Sequence, residues 1–352
     1  MSREKDARHT LIRPFETGDL TVDGKHWLFL NAQPLPELDD DSPDTWASAI
    51  TAVQPHRPSA LGVEAAGYAS VPTLEDRGGA ATAYDGALVL LGKARKRNEL
   101  WIADAMRSVP RGAPVLICGA KTSGITPARS WLKRMGYPLA VQSKNHAIVL
   151  QTEARLHSQL PTWEKAWQDS KTVDGLWQTA PGGFSAGAID VGSRLLAEAF
   201  SDRIRGKVAD LGAGWGYLSA KLLEASNRVE ALDLFEADHH ALAAARKNLS
   251  AAPATFHWAD ITSGLDGERP RGPYDWVIMN PPFHTGDQKA RSASPDLGKG
   301  FIQAAARCLP SGGRLLMVAN RQLPYEAQLQ ASFRRVLPLA QRDGFKVFEA
   351  VK

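Results

Sequence analysis

Cysteine is almost absent: Cys118 and Cys308 are the only two in 352 residues. Two thiols so far apart supply neither a metal-ligand spacing nor a disulfide framework, and they read as buried apolar residues of a cytoplasmic protein. No apolar run is long enough to span a bilayer. The polar start Met1-Ser2-Arg3-Glu4-Lys5-Asp6 carries no signal-peptide core. Charge of neither sign dominates. The 42 lysines and arginines against 38 acids leave a net charge of +4, a mild lean toward a polyanionic partner. The length exceeds one ordinary domain, and 43% hydrophobic residues can fill two cores.

A further absence sharpens the first motif. Lys207-Val208-Ala209-Asp210-Leu211-Gly212-Ala213-Gly214-Trp215-Gly216 reads as a strand, a glycine-rich turn and a helix from Tyr217 through Leu223. A dinucleotide fingerprint wants a third glycine three positions after the second, and Tyr217 stands there instead. Asp210, just before the turn, repels a phosphate and attracts a cation. A ligand with an α-amino group and a sulfonium fits the turn of Gly212 and Gly214 better than a pyrophosphate.

Three more strands repeat the pattern. Val229-Glu230-Ala231-Leu232-Asp233 is read as ending in a carboxylate placed for ribose hydroxyls. Ala254-Thr255-Phe256-His257-Trp258 is followed by Asp260, placed for an adenine amino group. Trp276-Val277-Ile278-Met279 runs into Asn280-Pro281-Pro282-Phe283. The two prolines fix φ near −65°, remove two N–H donors and hold Asn280 extended. The loop presents an amide, bare carbonyls and an aromatic ring, which suit a planar nitrogen donor on a ring that can stack. Asp210, Asp233, Asp260 and Asn280 thus fall at successive strand ends of one alternating β/α run, where open α/β sheets bind ligands.

These residues resemble the class I S-adenosylmethionine-dependent methyltransferases. Within them they look like the branch whose Asn-Pro-Pro-aromatic loop methylates exocyclic or amide nitrogens. Pro181-Gly182-Gly183-Phe184-Ser185, Ile189-Asp190-Val191-Gly192-Ser193, Asn280 to His284, Val318-Ala319-Asn320 and Phe345-Lys346-Val347 narrow the likeness over residues 172–352. There the chain is similar to the bacterial ribosomal RNA guanine-N2 methyltransferases, the small-subunit enzymes first and their large-subunit sisters second. The resemblance implies S-adenosyl-L-methionine as cofactor, ribosomal RNA or a ribosomal subunit as partner, and a cytoplasmic monomer. It also implies that the segment carrying Phe184, Asp190 and Gly192 folds over the methionine end of the cofactor.

The first half reads as a second copy. Val109-Pro110-Arg111-Gly112 through Cys118 aligns on Leu309-Pro310-Ser311-Gly312 through Val318, and Tyr84-Asp85 aligns on Tyr274-Asp275. His146-Ala147-Ile148-Val149 echoes Phe345-Lys346-Val347-Phe348, and Gly24-Lys25 matches Gly206-Lys207. The chemistry is missing: Leu28 aligns with Asp210, and Leu90-Leu91-Gly92-Lys93 replaces the Asn-Pro-Pro-Phe loop. The expected fold is α/β, two tandem Rossmann-like class I methyltransferase domains, the N-terminal copy degenerate and the C-terminal copy active. Residues 1–155 form the degenerate domain, structural and RNA-binding. Residues 156–175 form a linker helix with Trp163 and Trp167, and residues 176–352 the catalytic domain.

On this expectation Asn280 and the Pro281 carbonyl accept the two N–H groups of a guanine N2, while Phe283, after Pro282, stacks on the base. Lys93, Arg95, Lys96 and Arg97 contact RNA phosphates, with His284, Lys289 and Arg291 beside the pocket. His284 is also placed to take up the released proton. The target base has to be single-stranded or flipped out. The same loop also serves DNA adenine N6 and protein glutamine methylation, and a non-catalytic RNA-binding assembly protein is the alternative from another class.

Overall fold

The computed structural model describes residues 6–38, 45–77, 84–170, 172–183, 187–250, 252–265, 267–282 and 295–352. The chain divides into two compact units, Met1–Asp169 and Ser170–Lys352.

The strands of the first unit are β1 (Trp27–Leu30), β2 (Ile50–Val53), β3 (Ala69–Val71), β4 (Gly86–Leu90), β5 (Pro114–Ala120), β6 (Ala140–Lys144) and β7 (Ala147–Glu153). Its helices are α1 (Ala7–Leu11), α2 (Arg13–Glu16), α3 (Thr45–Ala49), α4 (Arg57–Ala65), α5 (Arg95–Ser108), α6 (Ile125–Arg134) and α7 (Trp163–Gln168). The second unit has strands β8 (Gly206–Leu211), β9 (Val229–Glu236), β10 (Ala254–Trp258), β11 (Trp276–Met279), β12 (Arg314–Asn320), β13 (Arg335–Arg342) and β14 (Phe345–Val351). Helices α8 (Val191–Ala197), α9 (Tyr217–Ala225), α10 (His239–Asn248), α11 (Pro295–Cys308) and α12 (Tyr325–Ser332) accompany them.

The central strands β1, β4 and β11 are buried at every position, as strands covered on both faces must be. Val277, Met279, Leu315 and Met317 pack on Phe301, Ile302 and Ala305 of α11 in the second core. In the first, Val89 and Ile117 share a core with Ile102 and Met106 of α5. Helix α7 packs on that same core through Trp163, whose indole N–H donates to Asp104 Oδ2 at 2.7 Å.

The two seven-stranded sheets have one topology. The first is ordered β3-β2-β1-β4-β5-β7-β6 and the second β10-β9-β8-β11-β12-β14-β13. In each, five parallel strands end in an antiparallel hairpin. Even a latch recurs: Asp85 Oδ2 accepts from His26 N, and Asp275 Oδ2 accepts from Lys207 N, both at 2.8 Å.

That latch corrects the sequence alignment by one residue. Trp27 lies opposite Gly86 as Val208 lies opposite Trp276, so Phe29, not Leu28, stands where Asp210 does. The match of Gly24-Lys25 to Gly206-Lys207 misled because a glycine can sit on either side of the strand start. The hairpin echo moves too. Ala147 faces Ala120 as Phe345 faces Asn320, so His146 corresponds to Gly344. Both tips carry two left-handed residues, Asn145 and His146 at φ 49° and 56°, Asp343 and Gly344 at 53° and 82°.

The latch also explains Gly206. Its φ of 73° is left-handed, and a Cβ there would collide with the Asp275 carboxylate. Gly312, at φ 84°, has open space around the same atom. Gly206→Ala should therefore destabilise the protein by roughly 2 kcal/mol or more, and Gly312→Ala by only about 1 kcal/mol. Chemical denaturation of the two variants checks this; equal losses would mean that the latch contributes nothing.

Candidate active site

The carboxyl ends of β8, β9, β10 and β11 converge in the second unit. Strand β8 delivers Asp210 and then Gly212 at φ 77°, where a Cβ would press to 3.0 Å against the Phe301 ring. Gly212 N and Ala213 N both donate to the Phe235 carbonyl, at 2.8 and 3.1 Å, and pin the turn to β9. The loop is gripped from outside as well. Asn248 Nδ2 donates to the carbonyls of Trp215 and Gln178 at 2.8 and 2.9 Å. Trp177, Trp215 and Tyr217 pack as an aromatic cluster with centroids 5.6–6.2 Å apart.

Asp210 is fully buried. Its Oδ2 accepts from the Ser219 hydroxyl at 2.7 Å, while its Oδ1 is buried with no partner. Burial pushes the carboxyl up to about 7; the Ser219 hydrogen bond opposes the shift and the neighbouring Glu236 charge adds to it.

Glu236 is the residue that the sequence reading missed. Strand β9 runs to Glu236 and does not stop at Asp233. Glu236 Oε2 accepts from Gly214 N and its Oε1 from Asp238 N, both at 2.8 Å. Burial raises its pKa, and these backbone donors resist the rise. Asp233 lies inside the strand, where its two oxygens meet His257 Nε2 at 2.8 Å and the Tyr274 hydroxyl at 2.9 Å. Its assignment to the strand end is thereby corrected. The available signal was Asp238, a helix N-cap accepting from His240 N and Ala241 N. A strand feeding that cap through a short loop has to run to about residue 236.

Asp260 lies just past β10, its Oδ1 accepting from Thr262 N at 3.0 Å and the Thr262 hydroxyl at 2.6 Å. Asn280 follows β11. Its Nδ2 donates to Asp190 Oδ2 and to Ser193 Oγ, each at 2.7 Å, while its Oδ1 is buried and unpartnered. Asp190 is the N-cap of α8, accepting from Ser193 N at 2.8 Å. Gly192 allows this approach, since a Cβ there would stand 2.9 Å from the Phe345 ring. Pro281 is buried and Pro282 exposed. Asn320 ends β12, its Oδ1 accepting from Gln322 N at 3.0 Å, and Arg321 beside it is exposed. Phe184, Phe283, His284, Lys289 and Arg291 lie outside the described residues.

The basic cluster of the first unit is partly spent on its own surroundings. Arg95 Nε bonds Glu99 Oε1 at 2.8 Å, Lys96 Nζ reaches the Ala166 carbonyl at 3.4 Å, and Arg97 has an intramolecular partner. Lys93 is exposed, as are Lys121 after β5 and Lys144 at the end of β6, all at one end of that sheet.

The geometry offers a buried acid, Asp210, a half-buried one, Glu236, and a glycine turn able to hold a ligand with a cationic group, beside a buried amide oxygen able to accept an N–H. Comparison with known proteins agrees in kind. The "Methyltransferase small domain" family model matches residues 176–349. Ribosomal RNA small subunit methyltransferase C of Salmonella newport is 32% identical over 268 residues, 74% of this chain and 73% of that one. The Yersinia enterocolitica protein of that name is 32% identical over 73% of this chain and 72% of its own length. Among solved structures, the T. thermophilus 16S rRNA N2 G1207 methyltransferase (RsmC), in complex with AdoMet and guanosine, superposes with a TM-score of 0.73. That match has 25% identity and covers 93% of this chain and 88% of that one.

The Asp210 carboxyl carries a pH dependence of known sign. It ionises above about 4 in the unfolded chain and above about 7 in the folded one. The folded state therefore holds the extra proton between these limits, and the stability from it is full below about 4 and lost as pH rises through 7. Asp210→Asn, neutral throughout, should lose less stability between pH 5.5 and 8.5 than the wild type. Denaturation midpoints at both pH values decide it; parallel losses would mean that Asp210 is not the titrating group.

Proposed function

The chain belongs to the ribosomal RNA small subunit methyltransferase C family, and from that premise we propose that it methylates the exocyclic N2 of a guanine in small-subunit ribosomal RNA. One observation carries the proposal: the Asn280 side-chain oxygen is buried without a partner while its nitrogen is doubly engaged. A buried acceptor left bare costs about 1–3 kcal/mol, and an arriving N–H donor removes that cost.

S-adenosylmethionine, when bound, supplies a methyl group made electrophilic by its sulfonium. The residues present fit it. Asp210 Oδ1 is a bare buried carboxyl oxygen, which a cationic ligand would hold ionised, and the Gly212 to Gly214 turn lets a ligand approach the backbone. Glu236, in place of Asp233, is assigned to the ribose hydroxyls, and Asp260 to the adenine amino group. Phe184 and Gly192 belong to the segment assigned to the methionine end, on which the Asp190 carboxylate is engaged by Asn280 and Ser193.

On the acceptor side, Asn280 Oδ1 and the Pro281 carbonyl each take one N–H of the guanine amine. That turns the nitrogen lone pair toward the methyl group, for an in-line attack at about 3–3.5 Å. Both oxygens stabilise the positive charge that develops on nitrogen. Phe283 stacks on the base, worth roughly 1–3 kcal/mol, and the released proton passes to His284 or to water. A base enters such a loop only when flipped out or single-stranded.

We assign catalysis to residues 176–352, and to residues 1–155 the role of a degenerate copy joined through 156–175. Phe29 and Leu90 stand in the places of Asp210 and Asn280, and Gln54 in that of Glu236. The amides at that end satisfy themselves. Gln54 Nε2 donates to the Ala32 carbonyl at 2.6 Å and Asn31 Nδ2 to the Leu90 carbonyl at 2.7 Å. Among the described residues at that end, no buried carboxylate or amide oxygen is left without a partner. Lys93, Lys121 and Lys144 are instead assigned to RNA phosphates.

Two outcomes test these assignments. Asn280→Ala should lower kcat by about 100-fold or more, the scale of one preorganised charge-stabilising contact. Its cofactor affinity should stay near that of the wild type, at one cofactor per chain. Assays with labelled S-adenosylmethionine on naked RNA and both ribosomal subunits, with calorimetry, decide it; near-normal turnover or two cofactors per chain would overturn the corresponding assignment. Replacing Lys93, Lys121 and Lys144 by alanine should weaken RNA binding and flatten the log–log salt slope by roughly 0.7 per lost single-strand contact. An unchanged slope would remove the first unit from the RNA interface.

A further inference from the structure

We infer that Asp190, with Ser193, is a positioning residue that locks the Asn280 amide in the one orientation able to accept the substrate nitrogen. The inference rests on the assignment of Asn280 as the acceptor-facing group.

An asparagine amide is nearly symmetric in shape. Turned by half a circle about its last torsion, it would offer two N–H donors where an oxygen is required, and donors facing a donating amine repel it. Something must therefore choose the orientation. An ionised carboxylate can only accept hydrogen bonds. Asp190 Oδ2, 2.7 Å from Asn280 Nδ2, would face an oxygen at the same distance in the turned amide. The Ser193 hydroxyl oxygen, also at 2.7 Å, engages the second N–H. Both donors are consumed, and Oδ1 is the part left bare and buried.

The bracket is itself held. Asp190 Oδ2 also accepts from Ser193 N at 2.8 Å as the N-cap of α8, so one oxygen starts the helix and orients the amide. Leu195 and Leu196 are buried, and the absence of a side chain at Gly192 lets the first turn settle against Phe345. The carboxylate adds an electronic effect. Drawing on the amide N–H polarises Oδ1 and makes it a stronger acceptor as charge develops on the substrate nitrogen. Asp190 and Asn280 are 90 positions apart in sequence, so neither local pattern reveals the pairing.

Asp190→Asn is the discriminating variant, because asparagine caps a helix about as well as aspartate while removing the charge and offering a donor. It should lower kcat by about 10-fold or more, as misplacement of a reacting group does. Cofactor and RNA dissociation constants should move less than about two-fold, within the reach of rim contacts. Ser193→Ala should give a smaller loss of the same kind. The decisive measurement is a double-mutant cycle: in an Asn280→Ala background, Asp190→Asn should change kcat hardly at all, since residues acting as a unit are not additive. An equal fold-loss in both backgrounds, or a loss carried by cofactor affinity, would overturn the inference and return Asp190 to a structural or cofactor-holding role. If Asn280→Ala itself turns over near normally, the assignment of Asn280 fails first. A slow Asn280→Ala beside an unimpaired Asp190→Asn defeats the lock alone.

Discussion

Among the buried oxygens without partners in the described residues of the second unit, two at strand carboxyl ends, Asp210 Oδ1 and Asn280 Oδ1, set the terms for it. Bare buried acceptors are costly, and a fold keeps them only where its remaining contacts hold them in place. Here the holding is specific. Ser219 occupies the other Asp210 oxygen, and Asp190 with Ser193 occupies the Asn280 nitrogen. Each side chain is fixed by one end so that the other faces inward. The glycine turn, the Asn248 clamp and the Gly192 close approach all serve that placement.

The first unit makes the comparison internal to one molecule. Sheet order, latch and hairpin tip recur in the two units. What differs lies at the carboxyl ends. Asn31 is left-handed at φ 54° where Gly212 is at 77°, and it spends its side chain on the Leu90 carbonyl. Gln54 keeps one job of Glu236, accepting from His56 N at 3.0 Å as Glu236 accepts from Asp238 N. Its other end becomes a donor and closes on Ala32. Where Glu236 accepts with both oxygens, from Gly214 N and Asp238 N, the Gln54 amide accepts with one end and donates with the other.

Much of this was legible in the sequence, and the limits are physical. Strand runs, the glycine turn, Asp260 and the Asn-Pro-Pro loop are local signals, and the family drawn from them is the one that the comparisons show. Asp233 misled because a carboxylate closing an apolar run looks like a strand end. The apolar character resumes past it, and Leu234 and Phe235, both buried, carry the strand on to Glu236. The one-residue slip in the repeat followed from matching a glycine in place of the latch. Asn248 and the double duty of Asp190 arise from contacts 70 and 90 positions apart, which no window sees.

The opposite ends of the same strands show why the bare oxygens are informative. Away from the carboxyl ends, several charges are met among the described residues. Glu349 is buried yet accepts from Arg203 and Arg314, whose guanidinium carbons each lie 5.5 Å from the centroid of the Trp276 ring. Asp275 is latched to Lys207, and both oxygens of Asp233 are taken by His257 and Tyr274. Such closed sets stabilise or specify a fold and offer a ligand nothing. A parallel sheet gathers its loops and helix N-termini at the carboxyl ends, and there the second unit leaves acceptors open. The asymmetry in hydrogen-bond satisfaction at Asp210 and Asn280, more than the presence of acids as such, sets the carboxyl end apart. Asp233 and Glu236 are both acids of one strand, and only the second lies at the open end.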